Sequence, residues 1–215
     1  DTRVVVLRGA GVLAFSAGYD VARLEEEAAQ RRTHGQGFFD SCLKAIMAYP
    51  RPVIAMIYGY AVGGGLELAA ACDLRLAADT ATLGHPAARM GQVEGYAILR
   101  MFLRLLGLAR TKELLFTGRM LDARTARDIG LVDQVVPAKD LPSATYQLAG
   151  EIAENSPVSI MSTKLILSRL LEHERPSPEL AAALDAVVLR GDSSEDAHEG
   201  PRAFLEKRKP RFTGR

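Results

Sequence analysis

Residues 59–68, Gly-Tyr-Ala-Val-Gly-Gly-Gly-Leu-Glu-Leu, are the most informative part of the sequence. It follows the apolar run Val53–Ile57, which predicts a buried strand, and it precedes Leu66–Ala71, which has helix-forming composition. Three consecutive glycines cost conformational entropy, and a close approach of the backbone to a ligand would justify that cost. A tight turn with positive φ angles is the simpler alternative. NAD binding is disfavoured because the GxGxxG spacing is absent.

The N–H groups at the start of the predicted helix have no partner within the helix, and they point back at the glycine turn. Together with the positive end of the helix dipole, they would stabilise an oxygen that gains negative charge in a reaction. A further strand is predicted at Asp73–Ala77, so strand, turn, helix and strand follow each other and indicate a βαβ unit. The sequence therefore predicts an α/β fold with a sheet covered by helices.

A second small-residue loop, AFSAGYD at residues 14–20, follows another apolar run at Arg3–Leu7. If the strands Arg3–Leu7 and Val53–Ile57 are neighbours, the loops that follow them lie side by side. Each loop can then supply one backbone N–H to the same oxygen, which is the geometry that stabilises an enolate or a tetrahedral oxyanion.

The rest of the chain is predicted to be mainly helical. Periodic leucines after Gly91 predict a helix, a last strand follows, and three or four helices begin at Leu141. We expect a β/α core at residues 1–140 and a helical part at residues 141–215. The other predicted elements are helical Val21–Ala48, helices Lys112–Thr117 and Ala123–Asp128, strand Leu131–Val136, and helix caps at Ser156, Ser177 and Asp192.

Composition narrows the classes of function. The 215 residues include 27 Lys and Arg against 26 Asp and Glu, and this balance argues against a general nucleic-acid binder or a polybasic membrane protein. Cys42 and Cys72 have no metal-ligand spacing, so we expect no metal site, and Cys72 is predicted to lie in the core. Free thiols and the absence of a long apolar run favour a cytoplasmic protein without membrane contact.

Taken together, four motifs in this order resemble the crotonase (enoyl-CoA hydratase/isomerase) superfamily along nearly the whole chain. They are AFSAGYD at 14–20, YPRPVIAMIYGYAVGGGLELAAACDLRLAA at 49–78, LFTGRMLDARTARDIGLVDQVVP at 115–137 and EGPRAFLEKRKPRF at 199–212. The resemblance implies a spiral ββα core, a C-terminal helical trimerisation part, homotrimers or dimers of trimers, and acyl-CoA thioester substrates without a further cofactor. Members of the family start earlier, so we expect the N-terminal part to be incomplete.

The resemblance also implies site residues. The oxyanion donors are the backbone N–H groups of Tyr19 and Gly64, and the Tyr19 ring is expected to narrow the pocket. Glu67 matches the first catalytic glutamate of the hydratases. The structural alternative is an ordinary glutamate in the first turn of a helix, where the helix dipole stabilises its negative charge. Lys207, in a basic tail, matches a lysine that reaches coenzyme A. The residues expected to contact substrate or coenzyme A are Ala17, Tyr19, Asp20, Gly63, Gly64, Ala87, Tyr96 and Lys207.

One departure from the family is important, because the second catalytic glutamate of the hydratases corresponds to Ala87, which cannot transfer a proton. Glu94 lies in the next loop, at a position where naphthoate synthases of the superfamily carry an acid. We therefore expect Glu94 to act as the second acid or base, with a glutamate of a surface loop as the structural alternative. His85, adjacent to the missing glutamate, is a further candidate for a proton donor, or a structural histidine.

The leading interpretation is the reversible hydration of a 2-enoyl-CoA through an enolate. A double-bond isomerase, which needs one base, is an alternative, and so are decarboxylation and thioester hydrolysis at the same oxyanion hole. The protein could also be a catalytically weak subunit that binds coenzyme A or supports assembly. The hydratase mechanism with two carboxylates requires Glu67 and Glu94 to approach one cavity. If they lie beyond direct or one-water hydrogen-bond reach of each other, this interpretation fails.

Overall fold

The computed structural model describes residues 2–23, 38–172 and 177–213, and within them it shows two four-stranded sheets surrounded by helices. The strands of the first sheet run in parallel and in the order β1, β3, β5, β8. These strands are β1 (Val5–Arg8), β3 (Val53–Ile57), β5 (Leu74–Ala78) and β8 (Gln134–Val136). The predicted neighbour relation of the first two apolar runs is confirmed, since Val5 pairs with Val53.

The second sheet consists of three-residue strands in the order β2, β4, β6, β7, of which only the last pair is antiparallel. Its members are β2 (Ala14–Ser16), β4 (Tyr60–Val62), β6 (Thr82–Gly84) and β7 (Met120–Asp122). The prediction that Tyr58–Gly65 is only a turn is wrong, because this stretch contains β4 and the beginning of the next helix. The chain passes from β3 in one sheet to β4 in the other before the helix begins.

Eight α-helices are present in the described ranges. They are α1 (Phe38–Ala48), α2 (Gly64–Ala71), α3 (Tyr96–Thr117), α4 (Ala123–Asp128), α5 (Leu141–Glu154), α6 (Pro157–Glu172), α7 (Pro178–Asp192) and α8 (Glu195–Leu205). The predicted βαβ unit is confirmed, since β3 and β5 are parallel neighbours connected through α2. None of these helices combines the length and the apolar character that a membrane crossing needs.

The core lies on both faces of the first sheet. Along β3, Val53, Ala55 and Ile57 pack in a cluster with α2, α3 and the second sheet. Ile54 and Met56 face the opposite side and pack against α5. A strand buried on both faces is continuously apolar, which is why its sequence showed no alternation.

Several predicted helix boundaries are corrected or confirmed. Lys112–Thr117 is helical as predicted and belongs to the second of two helical segments of α3, which are separated at Gly107, where φ is 71° and ψ is 170°. The predicted cap at Asp192 is wrong, because this residue ends α7, and Ser194 caps the next helix. Caps at Ser156 and Ser177 are confirmed by hydrogen bonds from the backbone to their hydroxyl groups.

Two further predictions concern the region around α1 and the core cysteine. Of Val21–Ala48, the first three residues form a 3₁₀ turn and 38–48 form α1, while 24–37 lie outside the described residues. Cys72 is buried as predicted, and this burial raises the pKa of its thiol to about 12. The division at residue 140 stays a prediction, and α5, which lies beyond it, packs on the first sheet.

Candidate active site

The two small-residue loops lie side by side at the same edge of the second sheet. Strands β2 and β4 are parallel neighbours, so both loops leave the sheet in the same direction. A β-carbon on Gly18, which has a φ of 87°, would lie 2.6 Å from the carbonyl oxygen of Val62 and 3.0 Å from the amide nitrogen of Gly64. A β-carbon on Gly65 would lie 2.1 Å from the carbonyl oxygen of Ser16. Only glycine permits this approach of the two backbones.

The glycine turn directs one amide away from the protein's own acceptors. Gly63 donates its N–H to the carbonyl of Gly84 at 3.0 Å, and its own carbonyl accepts from Leu66 and Glu67. The Gly64 N–H, at the first residue of α2, has no acceptor among the residues that the structure describes. An uncommitted amide at the positive end of a helix is suited to an oxygen that carries negative charge.

Tyr19 is brought to the glycine turn by the neighbouring loop. A β-carbon on Gly64 would lie 3.0 Å from Cε2 of the Tyr19 ring, so the ring covers the α-carbon of Gly64. The ring also meets Phe39 edge to face, with the two centroids 4.9 Å apart. The ring therefore occupies space beside the predicted oxyanion hole, as expected for a side chain that narrows the pocket.

The other residues of this loop were expected to contact coenzyme A. Ala17 and Asp20 are exposed, and the Asp20 carboxylate accepts a hydrogen bond of 3.0 Å from the backbone N–H of Ala22. Asp20 thus closes a turn of the loop that carries Tyr19. The contacts of Ala17 and Asp20 with coenzyme A stay predictions.

The structure brings Glu67, His85 and Glu94 together. Oε1 of Glu67 lies 2.8 Å from Nε2 of His85, and Oε1 of Glu94 lies 3.8 Å from the same nitrogen. Glu67 is in the first turn of α2, His85 directly follows β6, and Glu94 precedes α3. The parallel pairing of β4 with β6 creates this meeting, because it places Gly84 beside Val62 at the entrance of α2.

The two carboxylates differ in burial. The residues Glu67 and His85 are 3% and 1% exposed, whereas the Glu94 side chain is 18% exposed. Carboxylates this close to one imidazole can pass protons to it and accept protons from it. The convergence that the two-carboxylate interpretation requires is therefore present.

The electrostatics of His85 result from opposing effects. Burial lowers the pKa of His85, but the hydrogen bond that its Nε2–H donates to Glu67 and the negative charges of Glu94 and Glu67 outweigh burial, so the pKa is raised. The ring meets Phe102 edge to face, with 5.4 Å between the ring centroids. Its Nδ1 is buried and has no partner in the described part of the chain, so the hydrogen bonding of the ring is concentrated at Nε2.

The same three side chains also have the donor set of a cation site. One ligand atom from each of Glu67, His85 and Glu94 lies within 4.8 Å of the others. Carboxylate oxygens and an imidazole nitrogen are ligands of several divalent metals. This geometry therefore does not test the prediction that the site holds no metal.

Sequence reasoning placed Ala87 and Tyr96 around this cluster. Ala87 begins the 3₁₀ turn Ala87–Met90, two residues beyond His85, and it contributes no group that can carry a proton. Tyr96 is the first residue of α3, two residues after Glu94, and its ring lies 5.9 Å from the Arg100 guanidinium carbon. The direct bond between Glu67 and His85 was not foreseen, since nothing in the sequence shows which strand lies beside β4.

The C-terminal helix packs beside the loop that carries Ala87. A β-carbon on Gly200 in α8 would lie 2.0 Å from the Met90 carbonyl oxygen. Much of the basic tail is committed to Glu199, which accepts from Arg202 at 2.6 Å and from Arg208 at 2.5 and 2.9 Å. These guanidinium groups lower the pKa of Glu199. Lys207 follows α8 with a φ of 54°, is exposed, and remains the predicted phosphate contact.

Comparisons with known proteins show the family to which the chain belongs. The family model described as "Enoyl-CoA hydratase/isomerase" matches residues 1–215. A probable enoyl-CoA hydratase of Bacillus subtilis (strain 168) is 37% identical over 221 residues, which cover 99% of this chain and 82% of the relative.

Solved structures agree in fold over almost the same extent. A methylmalonyl-CoA decarboxylase in complex with 2-nitronate-propionyl-CoA superposes with a TM-score of 0.91 at 30% identity, covering 99% of this chain and 82% of that one. An enoyl-CoA hydratase/carnithine racemase from Magnetospirillum magneticum gives a TM-score of 0.75 at 36% identity, with coverages of 99% and 79%. The crotonase resemblance is thereby confirmed, and the chain belongs to the enoyl-CoA hydratase/isomerase family of enzymes.

Proposed function

We propose that the protein catalyses the reversible addition of water to the double bond of a 2-enoyl-CoA. One observation carries this proposal: Glu67 and Glu94 both approach Nε2 of His85, at 2.8 and 3.8 Å, beside the helix that begins at Gly64. Hydration needs a base for the water and an acid for the α-carbon, and this arrangement supplies two carboxylates in one place. Family membership makes a coenzyme A thioester the substrate class.

In this proposal the thioester oxygen accepts hydrogen bonds from the backbone N–H groups of Gly64 and Tyr19. The charge that develops on that oxygen when the enolate forms is stabilised by the two amides and by the positive end of α2. Both amides come from a backbone that the contacts of Gly18 and Gly65 hold in place. Groups that are fixed before the reaction need no reorganisation during it.

The proton transfers then balance as follows. Glu67 removes a proton from water while the water oxygen bonds to the β-carbon and electrons move to the thioester oxygen. The α-carbon of the enolate takes a proton from the Glu94 carboxyl group. Each cycle leaves Glu67 protonated and Glu94 ionised, and His85, which is hydrogen-bonded to Glu67 and 3.8 Å from Glu94, can return the proton between them.

The remaining parts of the proposal concern binding and assembly. Coenzyme A would contact the loop residues Ala17 and Asp20, and Lys207 would bind its phosphates as a mobile positive charge. The acyl group would pass Gly63, Ala87 and Tyr96 around the catalytic cluster. We propose a homotrimer or a dimer of trimers in the cytoplasm, with no cofactor other than the coenzyme A of the substrate.

Decarboxylation of a short carboxyacyl-CoA is the second candidate. It is favoured by the TM-score of 0.91 with a methylmalonyl-CoA decarboxylase, against 0.75 with the hydratase/racemase structure. It also agrees with Ala87, because loss of carbon dioxide produces an enolate without a base that activates water. The same two amides would stabilise that enolate.

The test is incubation of the purified protein with crotonyl-CoA in ¹⁸O-labelled water, with methylmalonyl-CoA in a parallel reaction, both read by mass spectrometry. Gain of one labelled water by crotonyl-CoA supports hydration. Formation of propionyl-CoA without hydration of crotonyl-CoA replaces the leading proposal by the second candidate. If neither hydration nor decarboxylation is detected with a panel of straight and branched acyl chains, the result would indicate a subunit that binds coenzyme A without catalysis.

A further inference from the structure

A groove lies between α1, α3, α5 and α6, at the opposite end of α2 from the catalytic cluster. Ala71 and Asp73, at the carboxyl end of α2, contribute to its wall, whereas Gly64 and Glu67 lie at the amino end. An eight-residue helix is roughly 12 Å long, so the groove is separate from the proposed reaction centre. Its volume is about 900 Å³, in the upper part of the range of known ligand pockets.

Half of the residues that line the groove are apolar. The side chains come from four helices and the start of β5, which leaves a long surface suited to a hydrocarbon chain. The apolar wall residues are Met47, Ala48, Pro52, Ala71, Leu74, Ile152, Ile160, Leu167 and Leu171.

The charged residues of the groove are mainly cationic. Lys44, Arg100, Arg104 and Lys164 contribute to the wall, against the single carboxylate of Asp73. Lys164 is already bonded to Asp73 at 2.6 Å, and Arg104 donates to the Leu171 carbonyl at the end of α6. Only Lys164 is paired with a carboxylate of the groove wall, so the wall keeps a net positive charge.

Arg100 has two nitrogen atoms that lack an acceptor. Its Nε and Nη2 are buried and have no hydrogen-bond partner among the residues described, and the guanidinium carbon lies 5.9 Å from the centre of the Tyr96 ring. Nε and Nη2 form the edge of a guanidinium that binds a carboxylate through two parallel hydrogen bonds. A buried donor without an acceptor is unfavourable, so an anion in the groove would stabilise this side chain.

We propose that this groove binds an unesterified fatty acid, with the carboxylate at Arg100 and the hydrocarbon chain along α6. Arg100 lines the groove while its Nε and Nη2 are buried, so binding in this proposal includes a change of the Arg100 rotamer that brings these two atoms to the carboxylate. Lys44 adds attraction without fixing the geometry. The site does not depend on the proposed reaction, because none of its groups belongs to the catalytic cluster.

The test is calorimetric titration of the full chain with laurate below its micellar concentration. We expect saturable binding of laurate to the wild type. The affinity of R100M for laurate should be lower by about tenfold or more, because a charged hydrogen-bonded pair is lost. The matched control is R124M, since Arg124 is exposed on α4 and away from the groove. Dodecanol and dodecyltrimethylammonium, which share the chain but not the anionic head, should bind at least as weakly to the wild type as laurate does to R100M.

Location is tested separately from affinity. A stearate with a nitroxide near the tail should broaden the methyl NMR signal of Met47. This measurement uses the wild-type protein, so it does not depend on whether a variant folds. Addition of a saturating acyl-CoA should leave the laurate affinity unchanged. Equal laurate affinity of R100M and R124M overturns the proposal, and so does displacement of laurate by acyl-CoA. Absence of binding to an oligomer, in which a second copy of the chain fills the groove, overturns it as well.

Discussion

The His85 imidazole and the Glu67 carboxylate form a hydrogen bond of 2.8 Å in which the two side chains are 1% and 4% exposed. A bond between charged or polar groups is stronger where water is excluded, and the loss of one partner leaves the other without solvation. Glu94 lies on the side of His85 that is closer to solvent. We therefore expect the proposed activity and the stability of the protein to depend on the same three side chains.

Replacement of Glu67 by Gln should lower kcat/KM for the best acyl-CoA by roughly 10²-fold or more, because the amide cannot remove a proton from water. The amide keeps the size of the side chain and can still accept from His85. E113Q is the matched control, since Glu113 is on the surface of α3 and pairs with Arg110. Equal kinetics of the two variants would remove Glu67 from the mechanism.

Replacement of Glu94 by Gln should also reduce the rate by about 10²-fold, the usual contribution of one general acid or base. We expect the effect in kcat with little change in KM, since the carboxyl group acts on the α-carbon in the transition state. Steady-state kinetics at saturating substrate provide the measurement. A reduction of less than a few-fold would show that Ala87 has no functional replacement at Glu94.

The contribution of His85 to stability should depend on pH. The pKa of His85 is raised in the folded protein, so its stabilising effect is complete below the unfolded value and is lost as pH rises through the folded value. Urea unfolding of the wild type and H85Q at pH 6 and pH 9 provides the measurement. The difference in the free energy of unfolding should be larger at pH 6. A difference that grows toward pH 9 contradicts the assigned direction.

Replacement of Gly65 by Ala should separate the two loops of the site. The added β-carbon would lie 2.1 Å from the Ser16 carbonyl oxygen, so we expect a loss of about 1–3 kcal/mol in the free energy of unfolding, together with loss of activity. Gly150 is the matched control, because it lies inside α5 with open space around its α-carbon. G150A should stabilise the protein by about 0.5–1 kcal/mol. A neutral G65A would contradict the close approach of the loops.

Lys207 can be tested with a substitution that suits its backbone. Its φ of 54° is tolerated by asparagine, so K207N removes the charge without adding strain. We expect a higher KM for acyl-CoA with kcat unchanged, and the difference from the wild type should diminish at high salt. K209N, at a neighbouring exposed lysine, is the control. The same KM for K207N and the wild type would leave the basic tail without a role in binding.

The sequence allowed the main elements to be predicted where the pattern was continuous. Val53–Ile57 was recognised as a strand because it is apolar on both faces, and the helix after the glycines followed from its composition. The three-residue strands β2, β4, β6 and β7 were missed, β2 within the predicted loop at residues 14–20, since so short a stretch has no measurable period. The break at Gly107 agrees with the predicted separation of Lys112–Thr117 from the periodic leucines that follow Gly91.

The site was predicted in its parts but not in its connections. The glycine turn and Glu67 come from one segment, so the sequence shows them together. His85 meets Glu67 only because β4 and β6 are neighbours, and this pairing depends on contacts between distant segments. His85 is a polar side chain directly after an apolar strand, and this local signal favours a functional role for it.

Exchange of the α-protons of butyryl-CoA in deuterated water isolates the formation of the proposed enolate, because this substrate has no double bond to hydrate and no carboxylate to lose. We expect uptake of deuterium at the α-carbon with the wild type, and loss of exchange in E94Q. No uptake above the rate without protein, while crotonyl-CoA is still bound by the same preparation, would contradict an enolate held by the Tyr19 and Gly64 amides.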